Sequence, residues 1–271
     1  MQMDSMAVVE DLDRKMLLDF HSLGAWVHQY TATALYHEAQ QIANDARVSL
    51  DDRPRIQMVL RAKIVGEAVA SFETLGLFCF AIQNRGRSGI ASTFINMRRN
   101  RANDFYKLCI SNGATPESLL RLPDRQGLKL IVSPYQADEL FEQLDDLLPN
   151  LAEAYLDDNQ DQNRKKRLTR AYNAIKHGNH IVNNVVALSP LPVHIEKGNV
   201  PIVTRWPRFG EEINDETMIF ITRSMSQESV TEDLEFTRQV AVLMSNLAQL
   251  LILLIDRKSL KYFDEDESEL V

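Results

Sequence analysis

The chain predicts an all-α fold, a helical bundle that carries one small β insertion ahead of its last long helix. Three observations carry that expectation. Apolar residues recur in a three-four rhythm over most of the 271 residues, and glycine and proline number only ten and nine, few for a turn-rich all-β plan. One stretch alone, about residues 181–222, exchanges the helical rhythm for valine and isoleucine set among prolines and glycines.

Taken in order, residues 7–47 read as one long helix with Leu17, Leu18, Leu23, Trp26, Val27, Tyr30, Ala34 and Leu35 on its apolar stripe. The Asp51-Asp52-Arg53-Pro54 turn opens a second helix, proline sitting in the tolerated first turn, and this helix runs to about Gln83. From Val69 to Ile82 it is apolar nearly all round, as a central buried helix is. Asn84-Arg85-Gly86-Arg87-Ser88-Gly89 breaks it, and a third helix follows from Ile90 to Ser111, closed by Asn112-Gly113. Thr115-Pro116-Glu117 starts one short turn or helix that stops before Pro123. Ser133-Pro134 then caps and starts a helix whose Leu140, Leu144, Leu147, Leu148, Leu151 and Tyr155 carry it to Leu156. After the polar connection 157–163 comes a basic helix ending at His177. The segment 181–222 predicts a β-hairpin or three-stranded ribbon, and a last helix spans Glu228 to Lys261. The acidic end, residues 262–271, is expected to fray. A single domain accommodates this order, with N-terminal helices over 1–125 and a second helical set with its β insertion over 133–261.

Two cysteines, Cys79 and Cys109, cannot build a disulfide framework or a Cys-based zinc site, which fits a reducing compartment. No basic-then-apolar leader opens the chain, and the apolar run Ala241 to Ile255 is interrupted by Ser245, Asn246 and Gln249. A cytoplasmic protein without a membrane span is the expectation. Net charge −8 argues against indiscriminate binding of nucleic acid, because affinity for phosphate comes mostly from cations. The cations are nevertheless clustered. Residues 164–177 hold six basic side chains and no acidic one, and residues 85–101 hold five arginines.

The first cluster is where chemistry is concentrated. Arg170 and His177 are seven residues apart, about 700° around a helix, so they share one face two turns apart. Asn173 lies between them on that face. His177 occupies the last turn before a glycine cap at Gly178. A fixed cation, an amide and a titratable imidazole thus align. Histidine can move a proton at a ribose 2′-OH or a leaving 5′-oxygen, and arginine can hold the charge on phosphate. Arg164, Lys165, Lys166, Arg167 and Lys176 would concentrate RNA there, joined by Arg85 and Arg87 of the second cluster. The plain alternative for each cluster is a solvated helix face, with His177 meeting the helix dipole.

The phrase Tyr172-Asn-Ala-Ile-Lys-His-Gly178, preceded by Arg170 and followed by a β excursion and a closing apolar helix, resembles the HEPN superfamily. Element order extends the likeness over about residues 135–260. The resemblance implies a helical domain with an Arg-x4–6-His motif, acting as a dimeric, metal-independent endoribonuclease of defence or toxin–antitoxin type. Arg170 and His177 take the motif's two fixed positions, and Ala171 stands where active members commonly carry a polar residue. Other members of the superfamily are inactive scaffolds, so a binding module contacting nucleic acid or a protein partner is the second expectation. Other chemistries fit less well. His177, His180 and His194 could in principle supply three nitrogen ligands to zinc, but Gly178 and strand-like residues separate them. Di-iron carboxylate bundles need Glu-x-x-His pairs, and the sequence has none. The Arg85–Gly89 turn lacks a P-loop ending and follows no strand. No metal and no cofactor are expected.

Overall fold

The computed structural model describes residues 5–98, 101–110, 115–156, 199–205, 219–224 and 226–263. Among them the fold is all-α in character. Its helices are α1 (Ser5–Ser22), α2 (Val27–Ile42), α3 (Asp52–Gln83), α4 (Gly89–Asn96), α5 (Arg101–Ile110), α6 (Pro116–Leu119), α7 (Arg125–Lys129), α8 (Pro134–Leu156) and α9 (Gln227–Asp256). The backbone of Asn199–Arg205 (β1) pairs antiparallel with Ile219–Ser224 (β2), Ile202 opposite Ile221, with an irregularity between Val203 and Arg205. The second strand runs two residues past the expected boundary at 222. No strand precedes residue 120 among the described residues.

Several boundaries differ from the sequence reading, each for a local reason. The first helix is two: although the apolar rhythm runs on through Leu23 and Trp26, a 3₁₀ turn, Gly24–Trp26, connects α1 to α2. There the indole Nε1 of Trp26 donates to the His21 carbonyl at 3.2 Å, taking up an acceptor at the end of α1. The third helix is also two, because Met97 turns extended at ψ 155° and ends α4 before the run Arg98-Arg99-Asn100-Arg101. The short helix α7 was not foreseen. Its signal is Asp124, whose carboxylate accepts from the Gly127 amide at 2.7 Å. Thr115 and Ser118 form a reciprocal cap on α6.

The last helix stops at Asp256 rather than Lys261. Lys258 takes the left-handed conformation, φ 56°, while Ser259 N donates to Leu254 O at 2.8 Å and Lys258 N to Ile255 O at 2.9 Å. That is a Schellman closure with lysine where glycine is preferred. Lys258→Gly is therefore expected to stabilise the protein by about 0.4–1 kcal/mol, less the small value of the exposed Lys258–Glu10 ion pair. Urea unfolding of the two proteins measures it, and a lower midpoint for the glycine variant would contradict the closure.

The chain divides into two compact units, each built from separated segments. The first comprises Met1–Val27, Phe72–Asp158 and Gln239–Val271. Its core contains Leu17, Phe78, Leu75, Phe105, Phe141, Leu144, Leu247 and Leu254, each fully or almost fully buried. Phe20, Phe78 and Phe94 form an aromatic cluster with centroids 4.3–5.9 Å apart. Helices α3 and α5 approach closely at Gly76, where an added Cβ would lie 2.6 Å from the Tyr106 ring, and the Tyr106 hydroxyl donates to Phe72 O at 2.7 Å. Arg125 joins α6, α7 and α8 by pairing with Glu117 at 2.6 Å and with Asp145, while it stacks 5.0 Å above Phe141.

The second unit comprises His28–Ser71 and Asn159–Arg238. Ala32, Ile64 and Val230 form its described core, with Leu35, Tyr36 and Leu234 packed around them. Gln227 at the start of α9 bonds both Gln40, at 2.9 Å, and the Tyr36 hydroxyl. His28 Nδ1 lies 2.8 Å from Glu67 Oε2. Helices α3 and α9 contribute one part to each unit, and both are long and apolar enough to cross a membrane by length and composition. In their most apolar windows 72% and 67% of the residues are buried inside the protein, as in core helices. Within Ala241–Ile255, Leu247, Leu250 and Leu254 are 0–5% exposed, so this run is core.

Candidate functional site

Arg170, Asn173 and His177, together with Arg164, Lys165, Lys166, Arg167 and Lys176, lie outside the described residues. Of the expected RNA-binding residues the structure places two, and it separates them. Arg85 is buried, 1% exposed. Its Nε donates to Lys261 O at 2.8 Å, its Nη1 to Ile82 O at 2.5 Å and Leu120 O at 2.8 Å, and its Nη2 to Arg121 O at 2.5 Å. The guanidinium also lies 5.2 Å from the Phe263 ring. A side chain spent on four main-chain carbonyls is not offered to a phosphate, so the expectation for Arg85 is corrected: it is a structural hub. Burial draws its pKa down to about 10, which leaves it charged at neutral pH. Arg87, two residues on, is exposed.

The same turn is held from below by Asp13. This carboxylate is fully buried and accepts from Ile90 N at 2.9 Å, Ala91 N at 2.8 Å and the Tyr262 hydroxyl at 3.0 Å. It caps α4 from α1 across the chain, in the way a local N-cap would. Gly89 makes this approach feasible: its φ is +83°, and an added Cβ would lie 2.6 Å from Asp13. The chain after α9 closes the arrangement, with Phe263 N donating to Arg85 O at 3.2 Å. Both buried ions were legible in principle. Asp13 lies four residues before Leu17 and seven before Phe20, on the apolar stripe of α1. Arg85 lies three after Ile82 and seven after Phe78.

Burial pushes the Asp13 carboxyl above its ordinary value of 3.8, against the pull of the two amides, Tyr262 and Arg85. The native state therefore holds this proton more tightly than the unfolded chain. Asp13's contribution to stability is greatest on the acid side and declines as pH rises from about 3.8 through the native value, then stays level. Asp13→Asn should cost about 1–2 kcal/mol, through loss of one amide acceptor, and should lack this slope. Urea unfolding of both proteins across the acid range checks it; parallel pH curves would refute the linkage.

A Ser–His contact that the sequence did not suggest lies between α1 and α9. Ser245 Oγ is 2.8 Å from His21 Nδ1, which is also 3.0 Å from Ser245 O. Ser245 is 4% exposed inside a helix, so no substrate carbonyl could reach its hydroxyl. The pair clasps two helices. A groove of about 340 Å³ opens between α7, α8 and α9, walled by Leu128, Leu140, Phe141, Leu250 and Leu253, with Asn246 and Gln249 as its amides. No cluster of three or more His, Cys, Asp or Glu suited to a metal ion occurs among the described residues.

No family model, curated protein or solved structure matches the chain. The case for function therefore rests on residues and geometry alone.

Proposed function

We propose that the protein is a HEPN-like, metal-independent endoribonuclease that works as a homodimer in the cytoplasm, in a defence or toxin–antitoxin setting. The observation that carries this reading is the sequence spacing of Arg170, Asn173 and His177, which helical periodicity would bring to one face, within a segment of six Lys/Arg and no acid. Arg170 stabilises charge on the scissile phosphate, His177 moves protons, and Asn173 orients the imidazole or donates to a phosphate oxygen. Lys165, Lys166, Arg164, Arg167 and Lys176 hold the strand electrostatically. The all-α bundle is the architecture this chemistry occupies in the superfamily that the motif resembles.

Cleavage of mixed RNA by the purified protein in EDTA tests the reading. Fragments with cyclic phosphate ends are the expected products; intact RNA under conditions where it binds would reject catalysis. A second reading, an inactive helical module for a protein partner, draws on the groove between α7, α8 and α9, whose largely apolar walls carry Asn246, Gln249 and Glu139 as polar groups and suit a mainly apolar ligand surface. Binding without cleavage is its signature.

A further inference from the structure

The thirty residues from Thr74 to Asn103 contain no aspartate or glutamate, although the chain as a whole carries net charge −8. Five arginines and no lysine fall in the same stretch. With Arg85 withdrawn into the core, the other described arginines lie around α4. Arg87 is exposed just before that helix, and Arg98 is exposed just after it. Between them, Ile95 is 73% exposed and Asn96 is exposed beside it. Ser92, half-buried, shares their face at three and four residues' distance, and Asn96 Nδ2 donates to its carbonyl at 2.9 Å. Arg101 follows on α5, its guanidinium 5.6 Å from the Phe80 ring and 3.0 Å from Asp104.

We propose that the outer face of α4, bracketed by Arg87 and Arg98, is a second binding surface for the phosphate backbone of single-stranded RNA. The inference rests on the RNA reading above. Arg87 and Arg98 stand either side of the eight-residue α4, whose axis rises about 12 Å, the reach of a few backbone phosphates of a strand. Arginine's planar fork fits a phosphate by two parallel hydrogen bonds, which a lysine cannot match. The hydroxyl and amide groups of Ser92 and Asn96 suit phosphate and sugar oxygens, and the exposed Ile95 gives a splayed base an apolar surface to cover. The buried Asp13–Gly89–Arg85 arrangement fixes the start of α4, so Arg87 is presented from a rigid turn rather than a loose one.

Fluorescence anisotropy of a labelled oligouridine with the full-length protein in EDTA, read across roughly 50–200 mM salt, tests the surface. Arg87→Gln with Arg98→Gln should flatten the slope of log K against log salt by about 1.4, at about 0.7 per phosphate contact in a single strand. The paired lysine substitutions should restore most of that slope, and circular dichroism should show both variants folded. An unchanged slope in the glutamine variant, with oligouridine still bound, overturns the surface while leaving the proposed ribonuclease standing. A flattened slope in a protein that binds but does not cleave supports the surface and removes the ribonuclease. Failure of the wild type to bind oligouridine overturns both. Binding of polyglutamate in its place, lost in the glutamine variant, reassigns the face to an acidic protein.

Discussion

Arg85→Met is expected to destabilise the protein by about 3–5 kcal/mol, the range for removing one member of a buried charged network. Methionine fills much of the volume but offers no donor. The carbonyls of Ile82, Leu120, Arg121 and Lys261 would each lose a hydrogen bond of 2.5–2.8 Å, two of them buried and two part-buried. An unmade buried hydrogen bond costs about 1–3 kcal/mol, and relaxation keeps the four losses from adding in full. Against a typical total of about 5–15 kcal/mol this is a large fraction. Arg85→Lys should recover little: the charge survives, but three donors on one nitrogen cannot reach four carbonyls arranged around a fork. Urea unfolding followed by circular dichroism measures the loss. Limited proteolysis should show cleavage rising after Asp256, since the Lys261 carbonyl is one of the four partners. A loss under 1 kcal/mol in the methionine variant would contradict the role assigned to this side chain.

Much of the helical plan was legible because its signals are local. Ser133-Pro134 marks the start of α8 by serine before a first-turn proline, and Leu140, Leu144 and Leu148 repeat every turn as its buried face does. The breaks were less legible. At Leu23 and at Met97 the apolar rhythm continues across the boundary, and what ends the helix is the backbone itself, a 3₁₀ turn after Leu23 and an extended residue at Met97. The end of α9 shows the same limit. Lysine in a left-handed closure carries no sequence mark, because glycine is the residue that normally announces it.

Arg85 shows why charge counting misplaces a residue. An arginine in a cationic run reads as solvent-facing, since charged side chains are rarely buried unless paired. Here its partners are main-chain carbonyls from three separate places in the chain, Ile82, Leu120–Arg121 and Lys261. Sequence cannot place those groups together without the fold. Periodicity could have raised the question, because residue 85 stays on the face of Phe78 and Ile82. The same argument applied to Asp13 would have found a buried acid, and the two lie close enough for each charge to favour the other.

His177→Ala should lower the rate of RNA cleavage about 10²–10⁴-fold, the contribution of a positioned acid–base group, while circular dichroism and the unfolding midpoint stay at wild-type values. In the proposed step the ribose 2′-oxygen attacks the adjacent phosphorus and gives its proton to a base. The bond from phosphorus to the 5′-oxygen breaks, and that oxygen leaves with a proton from an acid. The products are a cyclic phosphate and a 5′-hydroxyl, with no net redox change and no metal required. Histidine suits this exchange because its unperturbed titration lies near neutral pH, and the neighbouring Arg170 bears the charge that builds on the phosphoryl oxygens. Arg170→Ala should therefore lower kcat as well, whereas Lys165→Ala with Lys166→Ala should raise KM and flatten its salt dependence, because those side chains reach only phosphate. A dimeric site adds a further requirement. Mixing His177→Ala and Arg170→Ala proteins should restore part of the activity if the two residues meet across chains, and none if each chain works alone. Cleavage that persists unchanged in His177→Ala would reject the assignment. Equal losses in kcat for the lysine and histidine variants would show that the segment only binds.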